Sequence, residues 1–358
     1  MTNISKLVVD MGFGDSGKGL VTNWLADKDT TVVRYCGGPQ AGHTVVTKNN
    51  GRHVFSSIGS GTFKGADTLW LKECPFNPSA FLKEYKKLLD KGLLPSEIKV
   101  MVSPMSPLII PQDLYLNQTD EYSKGKTCGA GINHCITRHQ FHKVYAQDIY
   151  FPELLKYKLK NISAIYHIED DENEQFLKDC EEVANIVDIW MQSDEDTLKY
   201  NTKTHIIYES AQGIMLDQNI GVFPYVTRSN ILPIFAEPLD IYMVTRAYQT
   251  RHGDGPMFTS DLINCGKIDL SPDETNVENK WQGKFRTLPL SMKMLQYSLD
   301  QIAINLDLTK NQGNIVITCL DQVEDPDNVI NIIKHKFRIY NLNYYGSYSP
   351  YSESIFKL

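Results

Sequence analysis

The feature that most constrains this chain is a run of glycines set between two apolar segments near its start. Lys6–Met11 (KLVVDM) reads as a buried strand, Gly12–Gly19 (GFGDSGKG) as a loop, and Leu20–Ala26 as a helix. The spacing G-x-x-x-x-G-K is that of a phosphate-binding loop. Its glycines let backbone N–H groups close around phosphate oxygens, and Lys18 adds a cation. A strand ending in such a loop belongs at the carboxyl edge of a parallel sheet. Residue 19 departs from the common pattern: it is Gly where Ser or Thr usually supplies a hydroxyl to Mg²⁺. A metal at this loop needs another ligand, and Asp15 is the candidate inside it.

The rest of the chain keeps the same rhythm. Thr31–Tyr35, Ile98–Val102, His205–Tyr208 and Asn314–Thr318 read as strands. Ala80–Lys91, preceded by Asn77-Pro78-Ser79, and Phe176–Met191 read as helices, and Asn264–Arg286 as a long loop. The alternation predicts an α/β fold: a large, mainly parallel central sheet with helices on both faces and a P-loop-like N-terminal loop, in one catalytic domain over residues 1–358. Hydrophobic residues make up 42% of the chain, enough for a sizeable core, and the net charge of −7 provides no basic footprint for nucleic acid. Seven scattered cysteines without a CxxC pair argue against a zinc ribbon or disulfide framework and suggest a reduced, cytoplasmic setting. No apolar run is long enough to span a bilayer, and no signal peptide is expected before the first strand.

Further motifs follow in order. They are Gly37-Gly38-Pro39-Gln40-Ala41-Gly42-His43-Thr44, Thr127-Cys128-Gly129-Ala130-Gly131-Ile132, Glu209-Ser210-Ala211-Gln212-Gly213, and Phe223-Pro224-Tyr225-Val226-Thr227-Arg228-Ser229-Asn230. After them come Arg246-Ala247-Tyr248-Gln249-Thr250-Arg251 with Gly255-Pro256, then Thr318-Cys319-Leu320-Asp321, then Ser347-Tyr348-Ser349-Pro350. With Gly14–Gly19, this series resembles the adenylosuccinate synthetases, whose corresponding segments read GDEGKG, GG-x-NAGHT, TTGRGI, EGAQG, YPYVTSSN, KAYSTR, TKLD and a C-terminal ST/VGP turn. The match runs from residue 14 to residue 350, and eight motifs in order are far more specific than one glycine loop.

The resemblance implies a ligase that phosphorylates the 6-oxygen of a purine nucleotide and then lets the amino group of L-aspartate displace the phosphate. By that match Asp15 is the base that takes the N1 proton and is also a Mg²⁺ ligand, together with the Gly42 carbonyl. His43 is the general acid that steadies the phosphoryl group in flight. Ser16, Gly17, Lys18, Gly19 and Thr44 would hold donor phosphates, with Asp321, Ser349 and Pro350 at the donor base. Gln212 would meet the purine alongside Asp15 and Ser16. Gln40, Thr127, Cys128 and Thr227 would serve the 5′-phosphate. Family members are homodimers in which an arginine reaches the neighbour's 5′-phosphate site, and Arg138 is the nearest candidate. Lys284 and Arg286 would clamp the aspartate carboxylates.

Several departures from the pattern bear on substrate choice. The segment between Asp321 and Ser347 is shorter than in the usual enzymes, Cys319 replaces the Lys of TKLD, and Ser349 replaces a Gly. These changes point to an adenine donor, ATP or dATP, with GTP as the alternative. The aspartate loop Gly283-Lys284-Phe285-Arg286 has lost consecutive arginines, including the one that touches the ribose 2′-hydroxyl, so a changed sugar preference is expected. Ser16 replaces the Glu of GDEGKG near the purine 2-position, where a smaller side chain makes room for a 2-amino group and offers it an acceptor. Together these features resemble a phage-encoded subfamily that acts on dGMP in the host cytoplasm, en route to 2-aminoadenine DNA. Conventional IMP- and GTP-dependent synthesis is the alternative. A P-loop-like regulatory module is a second, against which the Asp15–His43 pair argues, because a binder needs no general acid.

Overall fold

A computed structural model describes residues 5–95, 97–121, 127–169, 172–189, 193–200, 202–233, 239–270, 281 and 283–358. Among them the strands are β1 (Ser5–Asp10), β2 (Thr30–Arg34), β3 (His43–Thr47), β4 (Gly51–Phe55), β5 (Asp67–Trp70), β6 (Val100–Val102) and β7 (Asp188–Ile189). They continue with β8 (His205–Gly213), β9 (Leu239–Arg246), β10 (Tyr248–His252), β11 (Phe285–Pro289), β12 (Gln312–Thr318), β13 (Leu342–Gly346) and β14 (Phe356–Lys357). The α-helices are α1 (Lys18–Leu25), α2 (Pro78–Asp90), α3 (Pro111–Thr119), α4 (Ile132–His139), α5 (Pro152–Tyr166), α6 (Asn173–Ala184), α7 (Asp194–Tyr200), α8 (Met292–Leu306) and α9 (Pro326–Lys336).

Ten strands form the central sheet in the order β14-β13-β12-β9-β1-β8-β2-β5-β6-β7. Every pair in it is parallel except the edge pair β13–β14. Alternation along β1 explains how both faces are covered. Leu7 and Val9 lie in one core with Leu295, Leu299 and Ile302 of α8, whereas Val8 lies in another with Leu20 and Val21 of α1. A third core joins Val100 and Val102 of β6 to apolar faces of α2, α5 and α6. The expected mainly parallel sheet with helices on both faces is the observed fold.

Two local expectations need correction. The helix expected over Phe176–Met191 ends at Ala184, and Asn185 closes it by donating its N–H to the Glu182 and Val183 carbonyls. Beyond it Asp188 and Ile189 form β7, which pairs with β6. Ile189, β-branched and buried at the sheet edge, gains ladder bonds there that a longer helix would forgo. Residues 190 and 191 lie outside the described residues, as do 271–280 and 282 of the expected loop Asn264–Arg286. That loop ends in a strand, not at Arg286: β11 begins at Phe285 and pairs antiparallel with β10. β9 and β13, unmarked in the sequence reading, lie on either side of β12.

The topology gathers the motifs. β1, β2, β8, β9 and β12 are parallel neighbours, so the phosphate loop, the Gly37–His43 segment, Ala211–Gly213, Arg246 and Thr318 all emerge at one carboxyl edge.

Candidate active site

The loop is built over one buried carboxylate. Asp10 accepts the N–H of Gly12 at 2.6 Å and that of Ser16 at 3.1 Å, and its Oδ2 lies 3.6 Å from Lys18 Nζ. From above, the ends of β9 and β12 and the middle of β10 hold successive loop carbonyls. Thr250 Oγ1 donates to Gly14 O at 2.9 Å, Arg246 Nε to Asp15 O at 2.5 Å, and Thr318 Oγ1 to Ser16 O at 2.8 Å. Gly14, Asp15 and Gly17 have φ of +105°, +60° and +93°, a concave backbone of the kind that cradles anions. Gly17 caps α1 without a side-chain bond, so first-turn amides stay available to phosphate. The missing hydroxyl at residue 19 has a packing cause. A Cβ there would fall 2.9 Å from the Thr44 carbonyl oxygen and 3.0 Å from His43 Cβ, so the approach of α1 to β3 admits only glycine.

Asp15 stands at the mouth of this loop, its Oδ2 3.1 Å from His252 Nε2. Burial pushes its carboxyl upward, but the hydrogen bond and charge of His252, with Arg246 and Lys18, hold it below its ordinary value. Gln212 Oε1 lies 3.2 Å from where a Cβ on Gly14 would stand, which places the amide beside Asp15.

His43 opens β3 and is 5% exposed. Its Nδ1 lies 2.8 Å from Glu209 Oε1, and its Nε2 lies 3.4 Å from the Ala211 carbonyl. Glu209 is fully buried. Burial would raise its carboxyl, but His43 and Arg34 overcome that and draw it down to about 2. His43 is lowered chiefly by burial, against which Glu209 pulls upward. Arg34 Nη1 lies 3.6 Å from Glu209 Oε2, and its guanidinium stacks over Trp70 at 5.5 Å without a hydrogen-bond partner among the described residues. An arginine, a carboxylate and an imidazole thus run outward in series toward Ala211–Gln212.

The other expected residues fall into three groups. The Thr127 hydroxyl exchanges bonds with the Asn117 amide and accepts the Gly129 N–H, so it shapes the turn that carries Cys128. Thr227 bonds Leu216 O through both N–H and Oγ1, and Gln40 lies against Gly37 and Gly38. At the donor end, Leu320 N–H donates to Ser347 O, bringing exposed Asp321 toward Ser349 and Pro350, and Cys319 has φ +57°. At the aspartate loop, Arg286 donates to Gly253 O at 2.5 Å and Gly255 O at 2.9 Å, while Lys284 is exposed. Gly42 is exposed.

Arg138 is the residue the structure does not bring to the site. It is 1% exposed, and Nε and Nη2 grip Asp113 at 2.9 Å each. Its other bonds go to Leu108 O and His142 O at 2.6 and 2.7 Å and to Cys135 Sγ at 3.5 Å. A guanidinium buried this deeply and paired with a carboxylate of its own chain is not presented to a neighbour's phosphate. The sequence reading also missed Asp10, Arg34, Glu209 and His252 as site-shaping groups. Glu209 stood inside a quoted motif, but only the juxtaposition of β3 and β8 ties it to His43.

The donor set suits Mg²⁺. Among the described residues no cluster of three His, Cys, Asp or Glu side chains could hold a metal. Asp15 is a single ionised carboxylate at a phosphate cradle, the setting in which Mg²⁺ takes few protein ligands and completes its shell with phosphate oxygens and water.

An anion-cradling loop at the carboxyl edge of a parallel sheet, with a carboxylate and a buried imidazole at its rim, defines an α/β protein of P-loop-like construction. The chain belongs to the adenylosuccinate synthetase family: the family's sequence profile, described as adenylosuccinate synthetase, matches residues 7–280. It is similar to the adenylosuccinate synthetase of Neisseria gonorrhoeae, at 30% identity over 283 residues, covering 72% of this chain and 65% of that protein. Against that of Haemophilus influenzae the identity is 31% over 290 residues, covering 73% and 66%. The chain thus spans about two thirds of the length of such relatives. Among solved structures, a fully ligated adenylosuccinate synthetase from Plasmodium falciparum shares the fold at TM-score 0.75 and 17% identity, over 99% of both chains. The succinoaminodeoxyadenylate synthetase of cyanophage S-2L, bound to dGMP and dATP as an energy donor, shares it at TM-score 0.71 and 15% identity, over 100% of this chain and 96% of that one. At these identities the likeness is one of fold.

Proposed function

We propose that this chain is a ligase joining L-aspartate to C6 of a purine nucleotide, with dGMP as acceptor and ATP or dATP as donor, working as a homodimer. The observation that carries the reading is the junction of the loop with β8. There an ionised Asp15 lies beside Gln212, and His43 emerges from a buried carboxylate close to Ala211. In the first step Asp15 takes the proton from purine N1. Electrons move onto the 6-oxygen, which attacks the γ-phosphorus, and the nucleoside diphosphate leaves. His43, directed by Glu209, donates toward the phosphoryl oxygens as charge builds on them. In the second step the aspartate amine attacks C6, inorganic phosphate departs and the amine loses a proton, giving 2-amino-2′-deoxyadenylosuccinate. Asp15 and the Gly42 carbonyl would hold Mg²⁺, which when bound would neutralise phosphate charge. Arg286, held meanwhile by two loop carbonyls, would exchange them for the aspartate carboxylates.

The preference for dGMP rests on Ser16, which is 5% exposed. A glutamate in that space would have to bury its charge beside the purine, whereas serine leaves room and an acceptor for the 2-amino group. An unmatched buried donor costs about 1–3 kcal/mol, so discrimination of roughly tenfold or more is expected. The test is a substrate matrix of dGMP, GMP, dIMP and IMP against ATP, dATP and GTP, run on the unmodified protein and on Ser16→Glu. The substitution should depress use of dGMP and spare IMP. Faster turnover of IMP than of dGMP by the unmodified protein would return the assignment to conventional adenylosuccinate synthesis. The retained Asp321 carboxylate favours that second reading at the donor base, since it suits the N1–H and 2-amino group of guanine.

A further inference from the structure

We infer that Arg228 is the cation that takes the 5′-phosphate of the purine monophosphate, acting from the same chain that supplies Gln40, Cys128 and Thr227; the inference rests on the reading above. Three segments converge around it. Gly37 N–H donates to Ser229 Oγ at 2.8 Å, which ties the strap carrying Thr227 and Arg228 to the Gly37–Gln40 turn. A Cβ on Gly38 would stand 2.5 Å from Ile132 Cδ1 and 2.9 Å from Gln40 Oε1, so that same turn abuts the first residue of α4. α4 begins after Gly129 and Gly131, both at positive φ, and no side chain caps it, which leaves its first-turn amides open.

Arg228 closes the arrangement from the outside. Its side chain is exposed, and among the described residues no carboxylate lies within ion-pair distance of it. Among the described residues its one side-chain hydrogen bond is Nη1 to Thr137 Oγ1, at 2.7 Å, on the flank of α4. His134, one turn nearer the N-terminus on that flank, feels the Arg228 charge. Thr137 is about 8 Å along the helix from Ile132, a distance a long arginine spans by changing rotamer. A neutral hydroxyl is a weak hold compared with a phosphate, which can take the guanidinium fork in two charge-assisted bonds. Arg138, the next residue along α4, is buried and held by Asp113 and two carbonyls, so Arg228 is the exposed cation of this flank.

Equilibrium titration of dGMP and of deoxyguanosine, which lacks the phosphate, into the unmodified protein, Arg228→Ser and Arg228→Lys tests this. Arg228→Ser should weaken dGMP roughly tenfold or more and leave deoxyguanosine unchanged, while Arg228→Lys restores part of the loss. Equal dGMP affinity in Arg228→Ser and the unmodified protein would overturn the role of Arg228 and leave the purine-ligase reading intact. Parallel loss of dGMP and deoxyguanosine would also overturn it, marking Arg228 as a structural brace. If the unmodified protein bound neither dGMP nor IMP, the reading of function itself would fall, an outcome distinct from both.

Discussion

Two histidine–carboxylate pairs flank the phosphate loop, and they differ in what solvent can reach. In His43–Glu209 the side chains are 5% and 0% exposed, and Arg34 closes the carboxylate from behind. In His252–Asp15 they are 10% and 34% exposed, on a loop residue at positive φ. The sealed pair is fixed by Arg34 and the Ser60 N–H on its carboxylate and faces the Ala211 carbonyl through its imidazole, which suits a ring that must aim a proton. The open pair is held by a bond that a substrate proton or a metal can replace, which suits a base that must change partners during turnover. Burial therefore separates the two carboxylates, although each sits beside a histidine, and in the proposed mechanism the sealed one orients while the open one reacts.

Substitutions can break this comparison, beginning with the largest expected effect. Asp15→Asn keeps the shape of the open pair and removes its base. Turnover should fall by about two to three orders of magnitude while circular dichroism stays unchanged. Near-normal turnover would remove Asp15 from the chemistry and leave the open pair a structural one.

Glu209→Gln tests the sealed pair. A loss in kcat on the order of 10- to 100-fold is expected, with substrate KM values little changed, as for other groups that orient a reacting side chain. The pH profile sharpens the point. Glu209 raises His43 against the lowering effect of burial, so neutralising it lets the imidazole lose its proton at lower pH. The basic limb of kcat should then move toward acid. A rate loss without that movement would make Glu209 a packing element.

The smallest effect belongs to the rim, where Arg286 follows the Phe285 that packs on His252 but touches neither carboxylate. Arg286→Leu should raise the aspartate KM about tenfold and leave purine monophosphate binding and the pH profile as they are. Loss of nucleotide binding in that variant would assign Arg286 to the nucleotide.

The loop, its flanking strand and helix, and most of the candidate site were legible because they are local. Gly12–Gly19 encodes its own backbone through residues that tolerate positive φ, and the apolar run before it can only be a buried strand. The aspartate loop was legible as a position on the chain, but its pairing was not: Arg251 opposite Arg286 is a register between strands 35 residues apart. The helix expected to reach Met191 failed for the same kind of reason, since pairing with β6 outweighs local periodicity beyond Ala184.

By itself the sequence determined which chemical groups are present and which backbone shapes each short segment can take, because glycine conformations, side-chain pattern and motif order are properties of neighbours along the chain. Only the tertiary structure decided which groups act on one another. It set Glu209 behind His43 and His252 against Asp15, and it explained Gly19 by the approach of β3. It also turned Arg138 inward onto Asp113 and left Arg228 facing out beside α4. Those outcomes depend on distances between segments far apart in the chain. Such distances are set by the stacking of strands and the burial of whole faces, which no local window of residues encodes.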